Sequence, residues 1–144
     1  MNPAQDSLAG LIAYLREYIP EFLSHAGLHG RLDFPSPAPD YPLPAEARRH
    51  LFLLVKEALN NVVKHAGAKE VRVRIQIESG RLLLSIEDDG RGFASAGQGQ
   101  NFENGNGLPG MRRRAEMLGG KLDLRTEPGR GVKITVTMPL PARP

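Results

Sequence analysis

Apolar residues at Leu8, Leu11, Ile12, Leu15, Ile19, Phe22 and Leu23 recur at spacings of three and four, which predicts a helix over residues 7–26 with Asp6 or Ser7 as N-cap. Pro20 falls inside this stripe and should kink or split it, since proline lacks the N–H that the helix needs. Gly27 and Gly30 punctuate the exit, and Arg31-Leu32-Asp33-Phe34 reads as a short strand. Pro35, Pro37, Pro39, Pro42 and Pro44 then make an extended connector. It is read as an internal loop, because the stretch before it is too short to hold a core of its own.

The strongest helical pattern runs from Ala45 to Ala66, with Leu51, Leu54, Val55, Ala58, Leu59 and Val62 on one stripe and Gly67 as the stop. Strict alternation follows. Val71, Val73, Ile75 and Ile77 point one way, Ser79-Gly80 turns the chain, and Leu82, Leu84 and Ile86 return on a second strand, giving a hairpin with one buried face. Residues 89–107 offer Gly, Asn and Gln with almost nothing to bury and should form a mobile loop. Leu108 to Leu118 form a further helix, closed by Gly119-Gly120. Leu122 and Leu124, a turn at 127–131, and Val132, Ile134, Val136 and Met138 complete a second hairpin. The economical architecture is an α/β two-layer sandwich, with a mixed, mostly antiparallel sheet of about five strands and helices on one face.

Composition narrows the function. At 144 residues and 40% apolar content the chain suits one domain, 1–144. Cysteine is absent, which excludes disulfides and thiolate metal sites. No run of 18 apolar residues occurs and the N-terminus lacks a secretory pattern, so a soluble, cytoplasmic chain is expected. The net charge of +3 and pI near 9.5 would suit a polyanion, but interspersed Asp and Glu make a solvated surface the simpler reading.

Candidate chemistry lies in three places. Glu57, Asn61 and Lys64 are four and three residues apart, so on a regular helix they share one solvent-facing side opposite the apolar stripe. A carboxylate, an amide oxygen and an ammonium there could hold a hard cation and an anion together. Asp88-Asp89-Gly90-Arg91-Gly92 ends a strand, and an aspartate there, facing a solvent-filled pocket, can accept from an exocyclic amine such as that of adenine. Gly105-Asn106-Gly107-Leu108-Pro109-Gly110 opens a helix, and a glycine-rich loop entering a helix N-terminus presents free N–H groups to phosphate.

Taken in order, Glu57 to His65 resembles the N box of the histidine-kinase-type ATPase superfamily, shared by sensor kinases, gyrase, a heat-shock chaperone and mismatch-repair ATPases. Asp88 to Gly92 resembles its first glycine box, Gly105 to Met111 its second, and Gly129-Arg130-Gly131 through Thr135 its last. The resemblance covers about residues 46–139. It implies an ATP-binding sandwich with residues 89–107 as the ATP lid. It further implies that Asn61 coordinates Mg²⁺ and that Asp88 binds the adenine amino group. Gly90 and Gly92 would let the backbone pass the base. Gly105, Gly107, Leu108 and Gly110 would shape the lid and its phosphate contacts. Lys64 and His65 would lie near the phosphates, and Thr135 under the adenine. Glu57 is either a metal-shell residue, through water, or an assisting one.

The segments Asn60 to Ala66 and Gly107 to Arg114 are most similar to sensor histidine kinases that pair with DNA-binding response regulators. Such a kinase is a homodimer, in some cases membrane-attached, whose dimerisation domain carries the phosphoacceptor histidine. None of His25, His29, His50 or His65 is followed by Asp or Glu, as that acceptor motif requires, so the chain is read as a fragment holding Mg-ATP for a histidine elsewhere. The phenylalanine-rich box of other kinase groups is not evident between the glycine boxes, where Phe93 and Phe102 are the aromatics. Three alternatives stand beside this reading: an anti-sigma-type protein serine kinase of the same fold, a non-catalytic ATP-dependent switch, and a nucleic-acid-binding domain using Arg112, Arg113 and Arg114. The last has no aromatic interleaving to support it, so no direct nucleic-acid contact is expected.

Overall fold

The computed structural model describes residues 7–90, 107–126 and 129–141. The loop expected at 89–107 lies outside the described residues except at its ends, as do Gly92 and Gly105. The chain order is α1 (Leu8–His25), β1 (His29–Asp33), α2 (Ala45–Asn61) running directly into a π turn (Val62–Ala66), β2 (Glu70–Glu78), β3 (Arg81–Asp88), α3 (Leu108–Met117), β4 (Lys121–Thr126) and β5 (Val132–Pro139). The strands form one sheet in the order β1-β2-β3-β5-β4, with β1 parallel to β2 and every other pair antiparallel.

Ser7 caps α1, its hydroxyl accepting from Gly10 N–H at 3.1 Å, and the predicted stripe from Leu8 to Leu23 is buried except for Phe22, which is half-buried. Of the kink or split expected at Pro20, the split does not occur; α1 continues for 18 residues. Pro20 is exposed, so the Arg16 carbonyl it leaves without a donor lies toward the wet side, where water can replace the missing N–H. The proline connector returns to α1: Leu8 N–H donates to Tyr41 C=O at 3.0 Å, and Leu43 is buried.

The β2–β3 turn is tight because Ser79 and Gly80 both take positive φ, 52° and 74°, which matches a two-residue hairpin. Val71, Val73 and Ile75 of β2, Leu82, Leu84 and Ile86 of β3, Leu122 of β4, and Ile134, Val136 and Met138 of β5 make the buried side of the sheet, packed with the stripes of α1, α2 and α3 in one core. The other side carries cross-strand charge pairs, among them Arg74–Asp33 at 2.8 Å and Lys133–Glu87 at 3.8 Å, as a solvated face should. No helix of the described residues is long and apolar enough to cross a membrane.

Candidate functional site

The apolar side of β3 ends on a charge. Leu82, Leu84, Ile86 and Asp88 alternate onto the same side, and Asp88 is only 4% exposed. It does not face a solvent-filled pocket, as the sequence had suggested. Its carboxylate accepts from Gly90 N–H at 2.8 Å and from the Val132 backbone N–H. Burial raises the Asp88 pKa above the ordinary carboxylate range, the two backbone donors oppose that shift, and the neighbouring charges of Asp89 and Glu87 add to it. Asp89 behaves differently. Its Oδ1 accepts from Lys69 and Glu70 N–H at 2.8 and 3.0 Å, tying the end of β3 to the start of β2, and these bonds, with that from Glu70 foremost, lower its pKa.

Thr135 does not join Asp88. The register pairs Thr135 with Ser85 and with Asp123, on the side of the sheet away from the helices, whereas Asp88 shares the helix side with Ile86 and Ile134. The predicted position for Thr135 under an adenine is therefore corrected by strand parity. The residue of β5 that lies beside Asp88 is Val132, and counting the alternation back from Ile134 would have found it.

On α2 the structure separates what regular helical spacing had grouped. Asn61 is 4% exposed and its Nδ2 is buried without a hydrogen-bond partner, while Lys64 is exposed. The solvent-facing Asn61 of the sequence reading is corrected accordingly. Asn61 belongs to the regular part of α2, three residues after Ala58 and seven after Leu54, which sets it at the edge of the buried stripe, whereas the π turn that begins at Val62 winds more widely and carries Lys64 farther round to solvent. Gly67, at φ 60°, ends the turn. The His65 side chain lies outside what the structure describes.

Glu57 meets the start of α3. Gly107 is the N-cap of α3 at φ 78°, a conformation that favours glycine, and a Cβ built on it would overlap the Glu57 side chain, which would have to swing aside. Glu57, Gly107 and Gly110 line a cleft of about 420 Å³ between α2 and α3, together with Lys56, Asn60 and Arg114. Leu108 is 1% exposed; its side chain belongs to the core, and only its backbone is available to a ligand. At Gly110, within α3, an added Cβ would meet nothing within 4 Å, and φ is not positive. Gly110→Ala should therefore stabilise the fold without nucleotide by up to about 1 kcal/mol of helix propensity, read as a higher melting temperature. Calorimetry would then show whether ATP needs that space: unchanged affinity removes Gly110 from the phosphate site.

The arginine run is engaged within the fold. Arg112 donates to Leu122 C=O at 3.2 Å, and Arg114 lies 3.1 Å from His50 Nδ1. Guanidinium can only donate, so Arg114 donates to His50 Nδ1, and His50 Nε2 lies 3.7 Å from Glu46. Two of the three cations thus brace α3 against β4 and α2, which disfavours a nucleic-acid surface. A larger groove of about 660 Å³ between α1 and α2, lined by Tyr14, Phe52, Arg48 and Arg49, contains none of the predicted site residues.

The structure thus offers a buried carboxylate at a strand end, an amide on α2 with its N–H group buried and unpartnered, and a glycine N-cap of α3 facing a glutamate. The family described as histidine kinase-, DNA gyrase B- and HSP90-like ATPase matches residues 46–142. The chain belongs to that family, and ATP is the ligand that membership implies. It is 37% identical over 131 residues to the signal transduction histidine-protein kinase/phosphatase DegS of Brevibacillus brevis, covering 91% of this chain and 33% of that protein. It is also 40% identical over 89 residues to the sensor histidine kinase DesK of Bacillus subtilis, covering 62% and 23%. The histidine kinase domain of the Erythrobacter litoralis EL346 blue-light activated histidine kinase superposes with a TM-score of 0.74 at 27% identity, over 90% of this chain and 61% of that one. The chain thus spans about a third or less of these curated relatives' length.

Proposed function

We propose that this chain is the ATP-binding catalytic domain of a sensor histidine kinase, holding Mg-ATP and donating the γ-phosphate to a histidine on a dimerisation domain outside these residues. The observation that carries the reading is Asp88, an acidic residue at the end of an otherwise apolar strand face. A fold tolerates such a carboxylate where a ligand donor completes its bonding, and the adenine amino group is such a donor. In this reading Gly90 and Gly92 let the backbone pass the base, and Gly105 and Gly107 shape the phosphate end. The backbone of Leu108 and the small Gly110 adjoin it, and Lys64 and His65 supply positive charge.

Mg²⁺ fits the residues present. The ion takes few protein ligands and fills its octahedron with phosphate oxygens and water, so one amide oxygen from Asn61 and a water-bridged Glu57 suffice. No cluster of three or more His, Cys, Asp or Glu suited to a metal occurs among the described residues, in keeping with a cation brought in by its nucleotide. Bound Mg²⁺ would neutralise charge on the phosphates. Glu57, packed against Gly107, would hold the start of α3 and the metal's water shell in one arrangement.

The names of the relatives support histidine kinase activity; a response regulator as the downstream partner, a cytoplasmic location and a homodimeric full-length protein belong to the same proposal. The test is phosphorylation in trans. Alone, the chain should bind Mg-ATP by calorimetry yet gain little label from γ-labelled ATP, because transfer depends on positioning a nucleophile that it lacks. Supplied with the dimerisation domain of its kinase, it should place acid-labile label on that domain. Acid-labile phosphate accumulating on this chain by itself, or acid-stable phosphate on a serine of a partner, would overturn the proposal.

A further inference from the structure

The last glycine box contains two glycines that share a backbone conformation and differ in what surrounds them. Gly129 and Gly131 stand at φ 77° and 79°, so an L-residue would be strained about equally at either. A Cβ on Gly129 would meet nothing within 4 Å. A Cβ on Gly131 would overlap the Asp88 carbonyl oxygen and come within 2.9 Å of Asp88 Oδ1. The carbonyl belongs to a strand in the centre of the sheet and cannot step aside. Gly131 is also pinned from the other side, where its own carbonyl accepts from Thr126 Oγ1 at 3.1 Å. The next residue, Val132, gives its backbone N–H to the Asp88 carboxylate.

We infer that Gly131 is the positioning residue of the purine-recognising carboxylate: its missing side chain lets β5 begin hard against Asp88, so that the Val132 N–H reaches and orients that group. The inference rests on the reading of Asp88 as the adenine acceptor. With a side chain at 131, the start of β5 moves away, the carboxylate keeps the Gly90 donor alone, and it is free to rotate out of line with the base. Gly129, two residues earlier with the same φ, has no such task.

Four variants of the chain, titrated with Mg-ATP and Mg-GTP by calorimetry and melted without nucleotide, test this. Gly129→Ala should keep ATP affinity within about twofold of the parent. Gly131→Ala should lose roughly tenfold or more and narrow the ATP-to-GTP preference, the size expected when an oriented charged hydrogen bond is degraded. Val132→Pro removes the same donor without adding anything at 131, at the first residue of a strand, where proline is tolerated, and should narrow the preference in the same way. Gly131→Ala matching Gly129→Ala in both affinity and preference overturns the inference. If Gly131→Ala does not fold, Val132→Pro decides, and a parent-like ATP-to-GTP ratio in that variant overturns it equally. Asp88→Ala with parental ATP affinity would instead remove the adenine reading itself, which separates the two failures.

Discussion

Asn61→Ala should cost Mg²⁺-dependent ATP affinity at least ten- to a hundredfold, while ATP binding in the presence of a chelator changes far less. The magnitude is that of disturbing the immediate surroundings of a bound metal, and a direct ligand sets the floor rather than the ceiling. The expectation for stability comes from burial. Asn61 is almost fully enclosed, yet its Nδ2 has no partner, so the fold already carries the desolvation cost of that N–H. Removing the amide relieves the orphan and leaves a small void, two effects of about 1 kcal/mol and opposite sign. The melting temperature without nucleotide should therefore stay close to the parent's. An Asn61→Ala variant that unfolds would make the amide structural, and one that binds Mg-ATP normally would remove it from the metal site.

Much of this was legible in the sequence, for a physical reason. Elements that bury one face announce themselves by period: the stripe from Leu8 to Leu23, the alternation of Val71 to Ile86 and that of Val132 to Met138 all reappear as predicted, and the helices cover one face of a five-stranded sheet. The turns were legible because positive φ selects glycine, as at Gly67, Gly80 and Gly119. What period could not show was a change of period. The π turn after Asn61 alters the advance per residue within one helix, and nothing in an apolar count over 45–66 distinguishes five residues wound more widely. Pro20 failed as a breaker because the penalty depends on whether the freed carbonyl is buried, a tertiary property.

The glycine boxes show the same division. Motif order brought Asp88, Asn61 and Gly107 to one side of the sheet, but motif matching assigns a residue by its place in a string, whereas a strand assigns it by parity. Thr135 fails on parity alone, and Val132 succeeds on it. Parity also makes Asp88 conspicuous: continuing the register Leu82, Leu84, Ile86 by one step lands a carboxylate in the core layer, where an acid without a task is rare.

That placement sets the expected behaviour of Asp88 variants. Asp88→Ala should weaken ATP binding by about ten- to a hundredfold and flatten the preference over GTP, because a hydrogen bond to a charged acceptor contributes roughly 1.5–3 kcal/mol and guanine presents an oxygen where adenine presents its amino group. Asp88→Asn keeps an acceptor oxygen and should lose about tenfold or less. Stability without nucleotide should separate the two. In Asp88→Ala the Gly90 and Val132 N–H groups lose their acceptor in a buried setting, at about 1–3 kcal/mol for each that water cannot reach, so the melting temperature should fall. Asp88→Asn keeps that acceptor and sheds the buried charge, so it should melt near the parent. Acidity gives an independent check on sign. The folded pKa of Asp88 is raised by burial, so its ionisation opposes folding: apo stability from this group is greatest below the unfolded pKa and is lost as pH rises through the folded one. The ionised form is the one that accepts from adenine, so ATP affinity should fall on acidification at a pH above the ordinary carboxylate range in the parent, and this limb should vanish in Asp88→Asn. Titration at several pH values reads it directly. An acid limb that survives in Asp88→Asn belongs to the nucleotide or another residue and would take the pH dependence away from Asp88.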